Sequence, residues 1–150
     1  MPDGEQRNPS HSPAPSPTDG LPVGYPFRPT DEVSPRGLRH LIGGAPEDAQ
    51  ARPADARVLL VDVRTPPERE ICAIKGSRLY PLQSLEARLD ELKAELDDDL
   101  SRPIVVYCHH GRRSLTATYI LRAAGFSDVR SLAGGIDLWS RDIDPSVPTY

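Results

Sequence analysis

Two short apolar runs constrain the fold of this chain most strongly. Residues 58–63 have the sequence VLLVDV and residues 104–107 have the sequence IVVY. Neither run alternates apolar with polar residues, as a strand with one solvated face would, so both are predicted to be strands covered on two faces. Segments with helical spacing lie between and after them, and strands that alternate with helices form parallel sheets. The sequence therefore predicts an α/β fold.

Capping residues and leucine spacing predict where the helices begin and end. Ser34 precedes Pro35, the typical order of an N-cap and a first helical residue, so a short helix should follow. Ser84 is expected to cap an amphipathic helix whose leucines recur every three or four positions, and Ser114 to cap a helix that Gly125 ends. The other predicted elements are a brief helix at 68–74, strands at 79–82 and 129–132, and a final helix at 136–141 with a core tryptophan.

The predicted helix after Ser84 has an acidic outer side. Residues 86–99 contain seven carboxylates against Arg88 and Lys93. Such a run is usually a solvated helix face, so no metal site is predicted there. The whole chain has a formal net charge of −4, whereas a protein that binds the phosphates of nucleic acids needs a basic face. Nucleic acid is therefore not an expected partner.

The N-terminal part of the chain differs in composition from the rest. Nine of the 17 prolines fall in the first 35 residues, together with several serines and few apolar residues. A segment of this composition buries too little surface to offset its ordering entropy. Residues 1–28 are therefore predicted to be a flexible extension, and residues 31–150 one domain.

Cysteine content and hydropathy predict the compartment. The chain has two cysteines, Cys72 and Cys108, too few for the disulfide framework of a small secreted protein. It also lacks a basic start followed by an apolar run, and no stretch of about eighteen apolar residues occurs. We therefore expect a cytoplasmic protein that does not contact a membrane.

The segment that follows the strand at 104–107 carries most of the reactive groups. Residues 108–113 have the sequence CHHGRR, and a helix is predicted to follow. Ligands of parallel sheets bind beyond the carboxyl ends of the strands, where backbone N–H groups and a helix N-terminus create an anion site. A cysteine held there is stabilised as the thiolate, which is the reactive form. Cys108 is thus a candidate nucleophile.

Three other interpretations of this loop fit the sequence less well. A buried, inert cysteine does not explain why two histidines and two arginines follow within five residues. A zinc site would need a second ligand cluster, and only the distant Cys72 and His40 are available in the sequence. A cysteine phosphatase places five residues between its cysteine and its arginine, whereas Arg113 comes one position earlier, which predicts a cradle suited to a single sulfur atom.

Four stretches of the chain together carry a family resemblance. They are Asp62-Val63-Arg64 with Pro66 and Glu68, Ile74-Lys75-Gly76-Ser77, the loop 108–113, and Gly134-Gly135-Ile136-Asp137-Leu138-Trp139. With them, residues 31–150 resemble the single-domain form of the rhodanese family. The resemblance implies a parallel five-stranded sheet flanked by helices on both faces. It also implies a sulfurtransferase that moves a sulfane sulfur from thiosulfate or a persulfide to a thiophilic acceptor, through a persulfide on the loop cysteine and without a cofactor.

The resemblance assigns roles to residues of this chain. Cys108 is the sulfur-accepting nucleophile, and Asp62 and Arg64 support the loop from the neighbouring strand. Thiosulfate-using relatives often have arginine directly after the cysteine, where this chain has His109, and Arg112 is expected to replace part of that charge. Cys72 is expected to be a structural thiol. The substrate-binding residues are predicted to be His109, His110, Gly111, Arg112, Arg113 and Ser114.

The same resemblance suggests partners. A small anionic sulfur donor is expected, and the tail at 143–150 is similar to the ends of rhodanese domains fused to enzymes that activate ubiquitin-like sulfur carriers. A sulfur-carrier protein or a cysteine desulfurase is therefore a second possible partner. An alternative function is a binding or sulfur-relay module with little independent turnover.

Overall fold

The computed structural model describes residues 14–43 and 58–150. The predicted α/β fold is confirmed: five parallel strands form one sheet in the order β1-β5-β4-β2-β3. The strands are β1 (Glu32–Val33), β2 (Leu59–Asp62), β3 (Arg78–Leu79), β4 (Ile104–Tyr107) and β5 (Val129–Leu132). The helices are α1 (Pro35–Leu41), α2 (Pro66–Ile71), α3 (Leu89–Glu95), α4 (Arg112–Ala123) and α5 (Gly135–Asp142).

The central strand β4 has both faces covered, as its sequence predicts. Val106 belongs to a core that also contains Leu92 of α3 and Leu121 of α4. Val105 and Tyr107 belong to a second core with residues of α1 and α5, including the predicted core residue Trp139. Successive residues of a strand point to opposite faces. The sheet therefore has α3 and α4 on one face and α1 and α5 on the other.

Some helix starts follow the predicted caps and one does not. The Ser34 side chain accepts from the N–H of Gly37 at 3.0 Å, and α1 begins at Pro35 as predicted. Ser84 does not cap a helix, because its hydroxyl donates to the Pro81 carbonyl. Two 3₁₀ turns, at Leu82–Ser84 and Glu86–Arg88, come before α3, so the span of the predicted amphipathic helix holds one 3₁₀ turn and the shorter helix α3. Its leucines still reach the core.

The part of the predicted N-terminal extension that the structure describes contacts the domain. The Tyr25 hydroxyl donates to Glu32 at 2.7 Å and accepts from the N–H of Gly134 at 3.1 Å. Glu32 also accepts from the N–H of Arg28 at 2.9 Å and lies in β1, a strand that the sequence did not predict. Residues 1–13, and the polar loop expected after α1 at 44–57, lie outside the described residues. None of the helices described here is long and apolar enough to cross a membrane.

Candidate functional site around Cys108

Cys108 follows β4 directly, at the carboxyl edge of the sheet. The loop from Cys108 is shorter than predicted, because α4 begins at Arg112 with Gly111 as its N-cap residue. Gly111 has a φ of 110°, a conformation that favours glycine, and this turn directs the first residues of α4 back toward Cys108. Ser114 is therefore not the N-cap that the sequence predicted. It lies in the first turn of the helix, with its side chain fully buried.

Three groups from this turn converge on the Cys108 sulfur. The N–H of Gly111 donates to Sγ at 3.0 Å, and the N–H of Ser114 donates to it at 3.4 Å. The Ser114 hydroxyl lies 3.3 Å from the same atom. Cys108 is only 1% exposed and borders the core that contains Val106. Amide donors at the start of a helix stabilise negative charge on the group that they face, and this sulfur is shielded from bulk water.

A second serine holds Ser114 in place. The hydroxyls of Ser114 and Ser131 lie 2.7 Å apart, and both side chains are fully buried. Ser114 also donates to the Gly111 carbonyl at 3.2 Å. Ser131 comes from β5, the strand beside β4, and the sequence did not single it out. The neighbouring strand thus fixes the hydroxyl that faces the sulfur.

The N-terminus of α5 holds the other side of the loop. The N–H of Ile136 donates to the Cys108 carbonyl at 2.9 Å, and the N–H of Asp137 donates to the His109 carbonyl at 3.1 Å. Gly135 lies between the loop and the helix with a φ of 64°. A Cβ at this position would lie 2.3 Å from the His109 oxygen, so only glycine permits so close an approach.

Asp62 and Arg64 form a buried pair and not a surface ion pair, as both side chains are fully buried. The Arg64 guanidinium donates to both carboxylate oxygens of Asp62, at 3.0 and 2.9 Å, and to the Cys72 carbonyl at 2.6 Å. Asp62 also accepts from the hydroxyl of Tyr107, the residue before Cys108, at 3.1 Å. The Asp62–Arg64 pair is thus connected to the start of the loop through the hydroxyl of Tyr107.

The Arg113 side chain, which was predicted to bind the substrate, is held in an ion pair, although its charge still interacts with Cys108. Its guanidinium donates to both oxygens of Glu68, at 2.7 and 2.8 Å, and so ties α4 to α2. The Arg113 guanidinium holds the pKa of the Glu68 carboxyl well below its usual range. Arg112, one residue earlier, is exposed and forms no ion pair with any described residue. Arg112 is therefore the cation available to an incoming anion.

The two histidines of the loop have different surroundings. Burial lowers the pKa of His109, and the neighbouring His110 lowers it further. The His109 ring stacks on Tyr150, with ring centres 3.9 Å apart and planes inclined by 7°. His110 has a side chain 54% exposed, and its Nδ1 lies 3.9 Å from the Asp137 carboxylate. At neutral pH His109 is thus an uncharged ring, and it does not supply the positive charge of the arginine that it replaces.

Comparisons with known proteins identify the family. The family described as Rhodanese-like domain matches residues 45–142. The chain belongs to this family. Thiosulfate sulfurtransferase GlpE of Pseudomonas fluorescens is 40% identical over 94 residues, which cover 63% of this chain and 80% of GlpE. The human single-domain sulfurtransferase TSTD1 has a similar fold, with a TM-score of 0.57 and 28% identity over 72% of this chain and 93% of that one.

Some relatives of this rhodanese-like chain are much longer proteins. Adenylyltransferase and sulfurtransferase MOCS3-1 of Zea mays is 38% identical over 93 residues, which cover 61% of this chain but only 20% of the maize protein. The chain thus spans about a fifth of the length of the two maize MOCS3 relatives that it matches.

Tyr150 of this rhodanese-like domain contacts the site, although the sequence analysis gave it no role. Its hydroxyl accepts from Arg64 at 3.1 Å and donates to Glu68 at 2.9 Å, while its ring covers His109. Burial raises the pKa of Tyr150, so the hydroxyl stays protonated. The only signal in the sequence was the similarity of the tail to other rhodanese domains, which does not say what the tail touches.

Cys72 lies beside the Asp62–Arg64 pair, since the Arg64 guanidinium donates to its carbonyl and lies 3.8 Å from its sulfur. It is buried in the core that contains Trp139, on the opposite face of the sheet from the core that borders Cys108. Both cysteines are free thiols. Cys72 directly follows α2, and its place in the other core makes it the control cysteine for experiments on Cys108. Its structural role stays a prediction.

Proposed function

We propose that this protein is a sulfurtransferase that carries sulfur as a persulfide on Cys108. The observation that carries the proposal is that the N–H groups of Gly111 and Ser114 both donate to the Cys108 sulfur. Preorganised donors of this kind stabilise charge on a reacting atom without reorganising during the reaction. The relatives named as sulfurtransferases support the same activity.

The proposed reaction has two steps. In the first, the Cys108 thiolate attacks the outer sulfur of a sulfane donor, a new S–S bond forms, and the donor's own bond to that sulfur breaks. With thiosulfate the leaving group is sulfite, which takes the bonding electron pair. In the second step a nucleophilic acceptor attacks the outer sulfur of the persulfide and restores the thiolate. Both steps are nucleophilic displacements, so neither requires an electron-transfer cofactor.

The charges around the loop favour an anionic donor. The whole chain is negative, but Arg112 at the start of α4 is exposed and unpaired among the described residues. The α4 N-terminus adds a partial positive charge, so the local field attracts anions. A small anion such as thiosulfate fits this field, and so does the terminal persulfide of a donor protein such as a cysteine desulfurase.

The burial of Cys108 favours a narrow substrate. Because Cys108 is only 1% exposed, a donor can reach the thiolate with a terminal sulfur atom but not with a bulky group. A tetrahedral phosphate would also lack the arginine that phosphatases use, because Glu68 binds Arg113. The same burial favours a second candidate, a relay module that exchanges sulfur with a carrier protein and turns over small donors slowly.

Turnover with thiosulfate and cyanide tests the proposed activity. We expect wild-type protein and Cys72→Ser to form thiocyanate at similar rates, because Cys72 lies on the other face of the sheet. Cys108→Ser should lose the activity. Equal rates in Cys108→Ser and wild type would contradict the proposal. No thiocyanate from wild type, together with sulfur exchange with a persulfidated desulfurase, would favour the relay module.

A further inference from the structure

We propose that His109, His110 and Asp137 form a binding site for a divalent transition-metal ion of the Zn²⁺ class, beside the sulfur site. Each residue offers one ligand atom, and the three atoms lie within 4.8 Å of one another. The sequence analysis found no second ligand cluster for a zinc site at this loop, because Asp137 comes from α5 and reaches the histidines only through the fold. The proposal does not depend on the proposed sulfurtransferase activity.

The strongest sign of a missing ligand is on His109. Its Nε2 is the buried side-chain nitrogen or oxygen that has no hydrogen-bond partner among the described residues. A buried polar atom without a partner costs free energy, and native proteins usually satisfy such atoms with protein groups, water or an ion. The stacked ring of Tyr150 fixes the orientation of the imidazole. An oriented imidazole with an unpaired nitrogen is a preorganised metal ligand.

His110 and Asp137 supply the second and third ligands. The His110 Nδ1 lies 3.9 Å from Oδ2 of Asp137, too far for a hydrogen bond. Asp137 is 6% exposed, and the same oxygen accepts from Arg141 at 3.1 Å. Arg141 is thus a second contact that orients the carboxylate, in the way that outer partners orient metal-binding carboxylates.

The distances allow binding after a small movement. Ligand atoms bound to one tetrahedral Zn²⁺ at about 2.1 Å lie about 3.4 Å apart, so a present spacing of up to 4.8 Å must contract by up to about 1.4 Å. The His110 side chain is half exposed, so its ring has room to turn. A cavity of about 340 Å³, lined by residues 22–26 and also by His110 and Asp137, gives an ion a path to these two ligands.

The chemistry of the three ligands favours a particular class of ion. Two imidazoles and one carboxylate suit Zn²⁺ and its neighbours in the first transition row, whereas Mg²⁺ and Ca²⁺ prefer sets made of oxygen atoms. Three protein ligands leave a fourth position open to water or an exogenous anion. The Cys108 sulfur is held by its amide donors and is not part of the set.

Metal binding to the full chain, reduced and stripped of metal by a chelator, tests the proposal. Zn²⁺ affinity is measured by competition with a chromophoric chelator, and the coordination by the visible spectrum of Co²⁺. We expect wild type, Cys108→Ser and the exposed control His40→Asn to bind one equivalent alike, without the intense near-ultraviolet band of a cobalt–thiolate bond. His110→Asn and Asp137→Asn should each weaken binding about 10-fold or more.

Several results would overturn the site. Unchanged affinity in His110→Asn is decisive, because this exposed residue can be replaced without risk to the fold. Loss of binding in Cys108→Ser, or a thiolate band in wild type, would place the ion on the sulfur instead. Absence of Zn²⁺ binding to wild type would refute the proposal outright. Since Cys108→Ser is expected to bind metal and not to transfer sulfur, the two proposals fail separately.

Discussion

Neighbouring arginines at the start of α4 have opposite surroundings and therefore different expected roles. Arg113 is engaged by Glu68, whereas Arg112 is exposed and free among the described residues to meet an anion. The sequence could not separate them, because the difference depends on where α2 places Glu68. Arg112 is the residue whose loss should change the encounter with the donor.

The prediction for Arg112 concerns the rate with an anionic donor. One unit charge about 8 Å from a divalent anion in water contributes about 1 kcal/mol, which corresponds to about fivefold in rate. We expect Arg112→Gln to lower kcat/KM for thiosulfate about fivefold, and the effect to shrink as salt shortens the Debye length. Arg39→Gln, which removes the same charge from an exposed position on α1, is the control. Equal effects of the two variants would show that only net charge matters.

Glu68 gives a prediction for the pH dependence of stability. Its folded-state pKa is lowered, chiefly by Arg113, relative to about 4.3 in the unfolded chain. The stabilisation is thus fully present above the unfolded pKa and is lost as pH falls toward the folded pKa. Urea unfolding should show Glu68→Gln less stable than wild type at pH 7, with the difference narrowing below about pH 4.3. A difference that does not change with pH would contradict this account.

Some site residues were predictable from their own neighbours and others were not. Cys108 and Gly111 follow a strand and precede a helix, a local pattern that sequence reveals. Tyr150 and Asp137 reach the loop only through tertiary folding, and no spacing in the chain reports their positions. His109 is intermediate: its place in the loop was predicted, but its burial beneath Tyr150 was not.

At the scale of elements, the contact between α5 and the loop that follows Cys108 is the feature that least tolerates substitution. An L-residue with positive φ costs about 1–2 kcal/mol. Gly76 and Gly135 both have positive φ, but a Cβ at Gly76 meets nothing within 4 Å, whereas one at Gly135 would overlap the loop backbone. A comparison of alanine variants at the two positions therefore separates the cost of backbone strain from the cost of steric overlap.

We expect Gly135→Ala to lower the free energy of unfolding more than Gly76→Ala does. The overlap should add about 1–3 kcal/mol to the strain that both variants share. The measurement is urea unfolding of both variants beside wild type, with the rate of Cys108 alkylation as a reporter of the loop. Equal losses of stability would mean that α5 and the loop separate easily.

Element boundaries show why local signals succeed or fail. Ser34 precedes a proline and its hydroxyl accepts from the N–H of Gly37, so the cap prediction was correct. Ser84 is followed by Leu85, which is fully buried, and the chain turns through 3₁₀ geometry to bury it before α3 begins. Ser114 was displaced from the cap because Gly111 can adopt a positive φ. In both failures, packing or a glycine outweighed the capping preference of serine.

At the scale of the whole molecule, the order of strands places the site. β4 lies in the middle of the sheet, between β5 and β2, so residues from three strand ends surround Cys108. Helix and strand alternation predicted a parallel sheet, and the family resemblance supplied its five strands. The two-residue strand β1 was not predicted from its residues, because such a strand has too few positions to show a pattern.

The N-terminal segment and the tail both contact residues near the site. Tyr25 of the N-terminal segment contacts Gly134, the residue before α5, and Tyr150 of the tail contacts the loop itself. Burial raises the pKa of Tyr25, so its hydroxyl remains a donor to Glu32. The flexibility predicted for residues 1–28 stays a prediction, while the described part of that segment contributes a wall of the cavity beside His110.

Intact mass spectrometry after incubation with a sulfane donor tests the central claim most directly. Wild-type protein and Cys72→Ser should each gain the mass of one sulfur atom, and a reducing agent should remove it. Cys108→Ser should gain none. An adduct that persists in Cys108→Ser, or its absence from wild type with both thiosulfate and a persulfide donor, would contradict the account.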